Sequence, residues 1–409
     1  MTLLPVSEAR ERILAAFAPL NTTHVPLKDA VGRILAEEIV AATDLPLFDN
    51  SSMDGFAVRV ADVLEAGSAT PIRLPVVDDI PAGIMPTHQL QPGEAARIMT
   101  GAPLPPGADT VVPVEETDFN SREAGIALPE NVQIFKAAKI GANIRKRGDD
   151  IKRGDSILPK GLRLRPQDLG MLAMLGIADV PVLRKPRVAL LSSGDELTPI
   201  GQPLSAGKIY DVNSYTLGAM LEANGCEIIP LGVAADTPES IKTALAKAKN
   251  ADLIVSSAGV SMGSFDFIKD IIEKDGELSF WRINMRPGKP LTFGHYQNLP
   301  FIGLAGNPVS AFVGFMVFVR PVIAKLLGNE NDDRHIAHAR LAEPITSDGR
   351  ESYLRAKVER ENGELRARLT GHQGSGNLFS MVQANALLIV PAGVKSLPAN
   401  AEVDIWMLT

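Results

Sequence analysis

From Arg187 onward the chain alternates short continuous apolar runs with amphipathic segments, a pattern that few folds satisfy. Arg187-Val188-Ala189-Leu190-Leu191 has no polar break. That suits a parallel strand covered on both faces, since a strand with one wet face would alternate. Leu217, Met220 and Leu221 then share one helical face, with Asn213 read as the cap at its start and Gly225 as its stop. Ile228-Ile229-Pro230-Leu231-Gly232 follows as a strand, Thr237-Pro238-Glu239 opens a helix with proline at its first position, and Asp252-Leu253-Ile254-Val255-Ser256 is the next strand. A helix over 266–274, strands near 278–284 and 301–304, and a long apolar helix from Pro308 complete the series. Strands joined through helices make a parallel sheet with right-handed crossovers, so residues 187–328 are expected to form a doubly wound α/β domain.

The texture differs on either side. Residues 7–38 carry helical spacing with polar breaks, as in Ala9-Arg10-Glu11-Arg12-Ile13-Leu14, until Asp44-Leu45-Pro46-Leu47-Phe48-Asp49-Asn50 ends the pattern. Between about 56 and 140, β-branched runs such as Thr110-Val111-Val112-Pro113-Val114 are separated by Gly and Pro turns, which predicts a small β domain. A glycine- and charge-rich connector, 141–154, precedes a helix over about 166–175. Beyond Gly328 residues 352–358 and 364–369 alternate around Asn362-Gly363, a hairpin signal, and 386–390 and 402–407 add strands, which predicts a small β-barrel or sandwich.

With 409 residues, 45% of them hydrophobic, the chain exceeds what one core organises, and about two to four domains are expected. A net charge of -7 with no long Lys/Arg stripe argues against nucleic acid as a partner. The first 30 residues lack the basic segment and apolar core of a signal peptide, so a cytoplasmic protein is expected. The most apolar segment, 309–327, contains Arg320 and Pro321 and reads as a buried helix rather than a membrane span. Cys226 is alone and the six histidines form no HxxxH pair, so a metal here must be held by oxygen ligands, which suits Mg2+.

In an open parallel sheet, ligands bind outside the carboxyl ends of the strands. Four loops are expected at that edge. They are Ser192-Ser193-Gly194-Asp195-Glu196-Leu197, the run from Ser257 through Gly259 and Ser261 to Asp266, Arg286-Pro287-Gly288-Lys289-Pro290, and Gly303-Leu304-Ala305-Gly306-Asn307-Pro308-Val309-Ser310. Small residues let backbone N–H groups approach phosphate oxygens, and helix N-termini favour negative charge, so a phosphate-containing ligand is expected. Asp195, Glu196 and Asp266 would repel such an anion unless a divalent cation lies between them, while Arg282, Arg286 and Lys289 supply opposite charge. Elsewhere, Asp54 in Asn50-Ser51-Ser52-Met53-Asp54-Gly55 reads equally as an Asx-turn residue or a functional carboxylate. Arg145-Lys146-Arg147-Gly148-Asp149-Asp150 reads as a solvated loop or, beside an anion site, as a source of phosphate-pairing Arg and metal-pairing Asp.

Asn50-Ser51-Ser52-Met53-Asp54-Gly55-Phe56-Ala57-Val58, Arg97-Ile98-Met99-Thr100-Gly101-Ala102, Ser193-Gly194-Asp195-Glu196-Leu197, Pro287-Gly288-Lys289-Pro290, Gly306-Asn307-Pro308-Val309-Ser310 and Thr370-Gly371-His372-Gln373-Gly374-Ser375 occur in that order. Together they resemble the MoeA family, the molybdopterin molybdenumtransferases, from about residue 5 to the C-terminus. The resemblance implies a multidomain α/β protein with an elongated, split N-terminal α+β domain (1–55 and 141–180) and an inserted β domain (56–140). A molybdopterin-binding α/β domain (181–328) and a C-terminal β-barrel (329–409) would follow. It implies Mg2+-assisted insertion of molybdate into the dithiolene of adenylylated molybdopterin with release of AMP. It also implies a homodimer whose active sites lie between the α/β domain of one chain and the N-terminal parts of the other, and transient contact with the molybdopterin adenylyltransferase and downstream cofactor-handling proteins.

By residue matching, the resemblance assigns catalytic roles to Asp54, Thr100, Asp150, Glu196 and Asp266. It assigns metal binding to Glu196, Asp236 and Asp266, and substrate binding to Arg145, Ser193, Gly194, Gly259, Ser261, Arg282, Arg286, Lys289, Asn307, Pro308 and Ser375. Three departures from the family pattern, at four positions, stand out. Ala305 replaces a loop proline, so a less rigid loop is expected; Arg282 and Arg286 replace lysines, which keeps charge and allows bidentate oxyanion contacts; and Ala258 replaces a glycine, which requires negative φ there. Alternatives of a different class are a non-catalytic pterin-binding scaffold, a tungstate-preferring relative, or an adenylylating one.

Overall fold

The computed structural model describes residues 3–119, 127–258, 264–329 and 335–408, which fold as two compact units. One comprises Met1–Glu37, Gly161–Leu169 and Ala178–Thr409, the other Glu38–Lys160 and Gly170–Ile177.

The centre of the first unit is a six-stranded sheet of β1 (Arg187–Ser193), β2 (Glu227–Ala234), β3 (Leu253–Ala258), β4 (Gly276–Arg282), β5 (Pro290–Tyr296) and β6 (Leu299–Ala305), ordered β2-β1-β3-β6-β5-β4. β1 runs parallel to β2 and β3, and β3 to β6, whereas β5 is antiparallel to both β6 and β4. The sheet is therefore doubly wound as expected but carries one reversed strand that the sequence pattern hid. Four helices cover it, α1 (Asn213–Ala223), α2 (Pro238–Leu245), α3 (Ser264–Asp275) and α4 (Pro308–Gly314). The uninterrupted apolar run in β1 is explained by its two faces: Val188 and Leu190 pack with Leu217, Leu221 and Val309, while Ala189 and Leu191 pack with Ile241, Leu245 and Ile271.

The apolar helix beginning at Pro308 widens into a π turn over Phe315–Val319 and resumes as an α-helix over Arg320–Leu326. The wide turn falls where Pro321, without an N–H and with a ring that crowds the preceding turn, interrupts the hydrogen-bond ladder. Of its most apolar window 78% is buried, which makes it a core helix, and the Arg320 guanidinium lies 5.7 Å from the Trp406 ring centroid. The N-terminal segment departs from expectation: helix covers only Val6–Ala15, and Thr22–Pro26 is a strand paired antiparallel with Asp179–Leu183. Pro19 cannot continue a helix, and the β-branched residues Thr22, Thr23 and Val25 favour the extended chain.

In the C-terminal region β7 (Ile336–Leu341), β8 (Glu351–Glu361), β9 (Glu364–Leu369), β10 (Ala386–Val390) and β11 (Glu402–Met407) form a barrel that the β8–β10 pairing closes. Asn362 and Gly363 turn the β8–β9 hairpin with φ of 49° and 87°, as a type I′ turn requires. Met285–Arg286 pairs in parallel with the start of β8, tying the loop before β5 to the barrel.

The second unit holds a five-stranded sheet ordered Thr110–Pro113, Gly55–Val58, Ala95–Ile98, Ile72–Ile80 and Asn131–Ile134. Glycine is obligatory at 55, since a Cβ there would stand 2.1 Å from the Val112 carbonyl oxygen.

Candidate active site

Register places the sheet's chemistry at one edge. Ser193 pairs with Ala234 and Ala258, Ala258 with Ala305, Leu304 with Leu291, and Pro290 with Arg282. All strands but β5 therefore end at this edge, and β5 begins there. The chain steps from β1 out to β2 and back across to β3, so the loops after β1 and β3 flank the topological switch point where a crevice opens.

After β1, Ser193 is buried and its hydroxyl has no hydrogen-bond partner among the described residues. A Cβ on Gly194 would lie 2.8 Å from both Glu196 carboxylate oxygens, so the half-buried Glu196 side chain folds back over that glycine. Asp195 Oδ1 accepts from the Asp236 backbone N–H at 3.1 Å, which joins the loops after β1 and β2 and brings Asp236 beside the first loop. Asp195 is thereby a loop tie. Of the loop after β3, Gly259 and Ser261 fall outside the described residues, as does the side chain of Asp266, whose backbone lies in the first turn of α3. Ala258 continues the strand and is absent from the residues with positive φ, so the missing family glycine has no conformational consequence there.

The cationic side of the edge comes from β4 and the loop before β5. Arg282 is exposed, with its guanidinium 3.7 Å from the Trp281 ring centroid, a stacking that a lysine ammonium would not reproduce. Arg286 is half-buried and Lys289 exposed. At the β6 end, Ala305 keeps the ladder regular. The turn that proline would stiffen is held by side chains instead: Asn213 Nδ2 donates to the Gly306 carbonyl at 2.7 Å, and Asn307 Nδ2 to Ser375 Oγ at 2.9 Å. Pro308 opens α4, and the Val309 N–H donates to the Ser375 carbonyl at 3.1 Å, so Ser375 is brought to the same edge. Asn213 itself is no cap: Val212 occupies that position, and Asn213 opens the helix with its amide turned to neighbouring loops.

Sequence reasoning passed over Arg355. It is fully buried in β8, donates to Ser380 Oγ at 3.0 Å and the Gly374 carbonyl at 3.0 Å, and its Nη1 has no hydrogen-bond partner among the described residues. Burial, and secondarily the Arg286 charge, pull its pKa down to about 10. Two cations close together, one of them stranded in the interior, make a strong local field for an anion. No local signal marked Arg355, because the same strand also carries Glu351, Lys357, Glu359, Arg360 and Glu361, and only the fold shows which of these charges is buried.

In the second unit Asp54 Oδ1 accepts from both the backbone N–H and the hydroxyl of Thr100, each at 2.8 Å. The carboxylate thus reaches a distant turn, and in the local turn Ser51 Oγ accepts from the Met53 N–H at 3.2 Å. Asn50 and Ser51 pair with Arg145 and Ile144, so the Asp54 and Arg145 loops adjoin. The charged run is an ordered brace: Arg145 pairs with Asp150 at 2.5 Å, Lys146 with Asp49 at 2.8 Å and Arg147 with Asp44 at 2.6 Å.

The Arg153 backbone N–H, with Arg147, holds the Asp44 carboxyl below its ordinary pKa, and Lys146 with the Arg147 N–H does the same for Asp49. A folded-state pKa below the unfolded value contributes stability that is complete above the unfolded pKa and lost as pH falls through the folded one. Amide protection over residues 146–153, corrected for intrinsic exchange, should be constant from about pH 8 to 5 and fall below about pH 4. Protection unchanged at about pH 3 would rule the brace out.

Among the described residues no group of three or more His, Cys, Asp or Glu side chains is placed to hold a metal ion. Glu196 and Asp236 nonetheless offer hard oxygen donors from adjoining loops. That fits Mg2+ shared with substrate phosphates, which needs only one or two protein carboxylates.

The chain matches the models of the MoeA N-terminal region (domain I and II) over residues 4–176, a probable molybdopterin binding domain over 189–325, and the MoeA C-terminal region (domain IV) over 338–408. It is 36% identical over 408 residues to the molybdopterin molybdenumtransferase of Haemophilus influenzae, covering 98% of each chain. To that of Bacillus subtilis it is 36% identical, covering 100% of this chain and 94% of the relative. The crystal structure of the molybdopterin biosynthesis MoeA protein of Pyrococcus horikoshii superposes with a TM-score of 0.85 at 34% identity over 100% of both chains. The matched regions follow the order of the loops above and span nearly the whole chain, so this protein belongs to the MoeA family of molybdopterin molybdenumtransferases, the transferases of molybdenum cofactor biosynthesis.

Proposed function

We propose that the protein inserts molybdate into the dithiolene of adenylylated molybdopterin, releasing AMP, with Mg2+, as a homodimer. The observation that carries this reading is the meeting of opposite charges at one sheet edge: Glu196 and Asp236 after β1 and β2, and Arg282, Arg286 and Lys289 around the start of β5. A purely anionic substrate asks for cations alone; a metal-bridged phosphate beside a tetrahedral oxyanion asks for both signs.

In this reading Glu196, Asp236 and Asp266 are the residues that would hold Mg2+. Bound Mg2+ would neutralise phosphate charge and so ease departure of AMP. Ser193, Gly194, Gly259 and Ser261 present small residues to the phosphates. Arg282, Arg286 and Lys289 hold molybdate and the pterin phosphate, and Asn307, Pro308 and Ser375 bind substrate at the β6 end of the same edge. Two thiols replace one oxo group of molybdate, which leaves as water with the two thiol protons, and one water cleaves the phosphoanhydride into pterin phosphate and AMP, so the protein's task is placement and charge neutralisation. Asp54, Thr100, Arg145 and Asp150 complete the site from the second subunit. The adenylyltransferase that supplies the substrate is a transient partner.

Purified protein given adenylylated molybdopterin should release AMP only when both molybdate and Mg2+ are present, and EDTA should abolish release. Consumption of ATP without a second enzyme would identify an adenylylating enzyme instead, binding without AMP release would identify a scaffold, and a higher rate with tungstate would reassign the metal.

A further inference from the structure

The amide of Asn213 ties together loops that the functional reading treats as separate. Asn213 is only 7% exposed, and its Nδ2 donates to Ser257 Oγ at the end of β3 at 2.9 Å and to the Gly306 carbonyl beyond β6 at 2.7 Å. A backbone carbonyl can only accept, so the Gly306 contact fixes which way the amide faces. Its Oδ1 is then turned away, buried and without a hydrogen-bond partner among the described residues.

The same helical turn reaches β1. Asp211, also buried, accepts from the Ser214 N–H at 3.1 Å and from Ser192 Oγ at 3.3 Å, and the Ser192 and Ser214 hydroxyls are 2.9 Å apart. Ser192 and Ser257 face each other across β1 and β3. Beyond Gly306 the line continues through Asn307 to Ser375.

We propose that Asn213 is a positioning residue for the transfer reaction. It fixes the spacing between the end of β3 at Ser257 and the turn after β6 at Gly306, and so the seat of the adenylylated pterin. Because Ser257 Oγ accepts from Asn213, the hydroxyl keeps its own proton for donation to an anionic oxygen. Because the Gly306 carbonyl is occupied by a donor, its negative end is neutralised beside a site meant for anions. The kinetic part of this inference rests on the reading of function above; the structural part does not.

Two measurements on the full-length protein separate the two. Hydrogen exchange needs no substrate: Asn213→Ala should speed exchange of the amides of residues 256–258, Gly306, Asn307 and Val309 by about 10-fold or more, with the barrel strands unchanged. Wild-type protection in both loops overturns the proposal. Kinetically, the KM for adenylylated molybdopterin should rise by about 10-fold while that for molybdate stays within about two-fold, a split that general destabilisation would not produce. Equal changes in both constants, or none, overturn it. Should Asn213→Ala not fold, Ser257→Ala removes one acceptor at little structural cost and should raise the pterin KM about three-fold. An unchanged KM in that variant counts against the tie equally. A wild-type protein that releases no AMP refutes the functional reading, and the exchange result then decides the role of Asn213 alone.

Discussion

Alanine at Asp54 or at Glu196 is expected to lower AMP release to below about a hundredth of the wild-type rate, because each removes a charge that the proposed site has oriented in advance. Asp54 is held by two donors from Thr100, so its carboxylate has one direction before substrate arrives. Glu196 is folded over Gly194, the position where a side chain would displace it. Neither change should unfold the protein. Thr100 is exposed, so water replaces the lost acceptor, and Glu196 is only half-buried. Thr100→Ala deletes the hydroxyl donor but leaves the backbone N–H, so a smaller loss of about 10-fold is expected. Rates of AMP release, read beside circular dichroism and thermal midpoints, check all three. Wild-type turnover in both carboxylate variants would remove Asp54 and Glu196 from the site.

What the sequence made legible was local. The apolar run of β1, proline at the start of α2 with Thr237 accepting from the Ser240 N–H, and the Asn362-Gly363 turn are each decided within a few residues. β5 escaped because Pro290 and Gly294 break its pattern. Gly294 is required there by the Glu277 carbonyl, which would lie 2.2 Å from a Cβ, and that neighbour is set by pairing rather than by sequence. The Thr22–Pro26 strand was hidden for the same reason, since its partner at Asp179–Leu183 lies far along the chain.

The site divides in the same way. Loops that follow strands of one sheet must share an edge, so their convergence was predictable from alternation alone. The Asp54–Thr100 pair and the burial of Arg355 depend on contacts between distant segments, and no local pattern encodes them. Asn213 shows how a right residue acquires a wrong role: an Asx at a helix start suits capping, yet a neighbouring carbonyl claimed its amide.

Co-expressing the Asp54→Ala and Glu196→Ala chains in equal amounts is expected to restore about one quarter of wild-type activity, from two parents that have almost none. Asp54 lies in the unit of Glu38–Lys160, and Glu196 in the unit that includes Ala178–Thr409, so each variant damages one unit and leaves the other intact. If an active site takes the first unit from one chain and the second from its partner, a mixed dimer has one doubly damaged site and one intact site. Random pairing makes about half of the dimers mixed, and one working site in each gives about a quarter of the full rate. A site built within a single chain predicts a different result, because every chain in the mixture then carries a damaged site and activity stays at the parental level. Light scattering on the same preparation should give a mass near twice 43.6 kDa, since a monomer offers no second chain to complete the site.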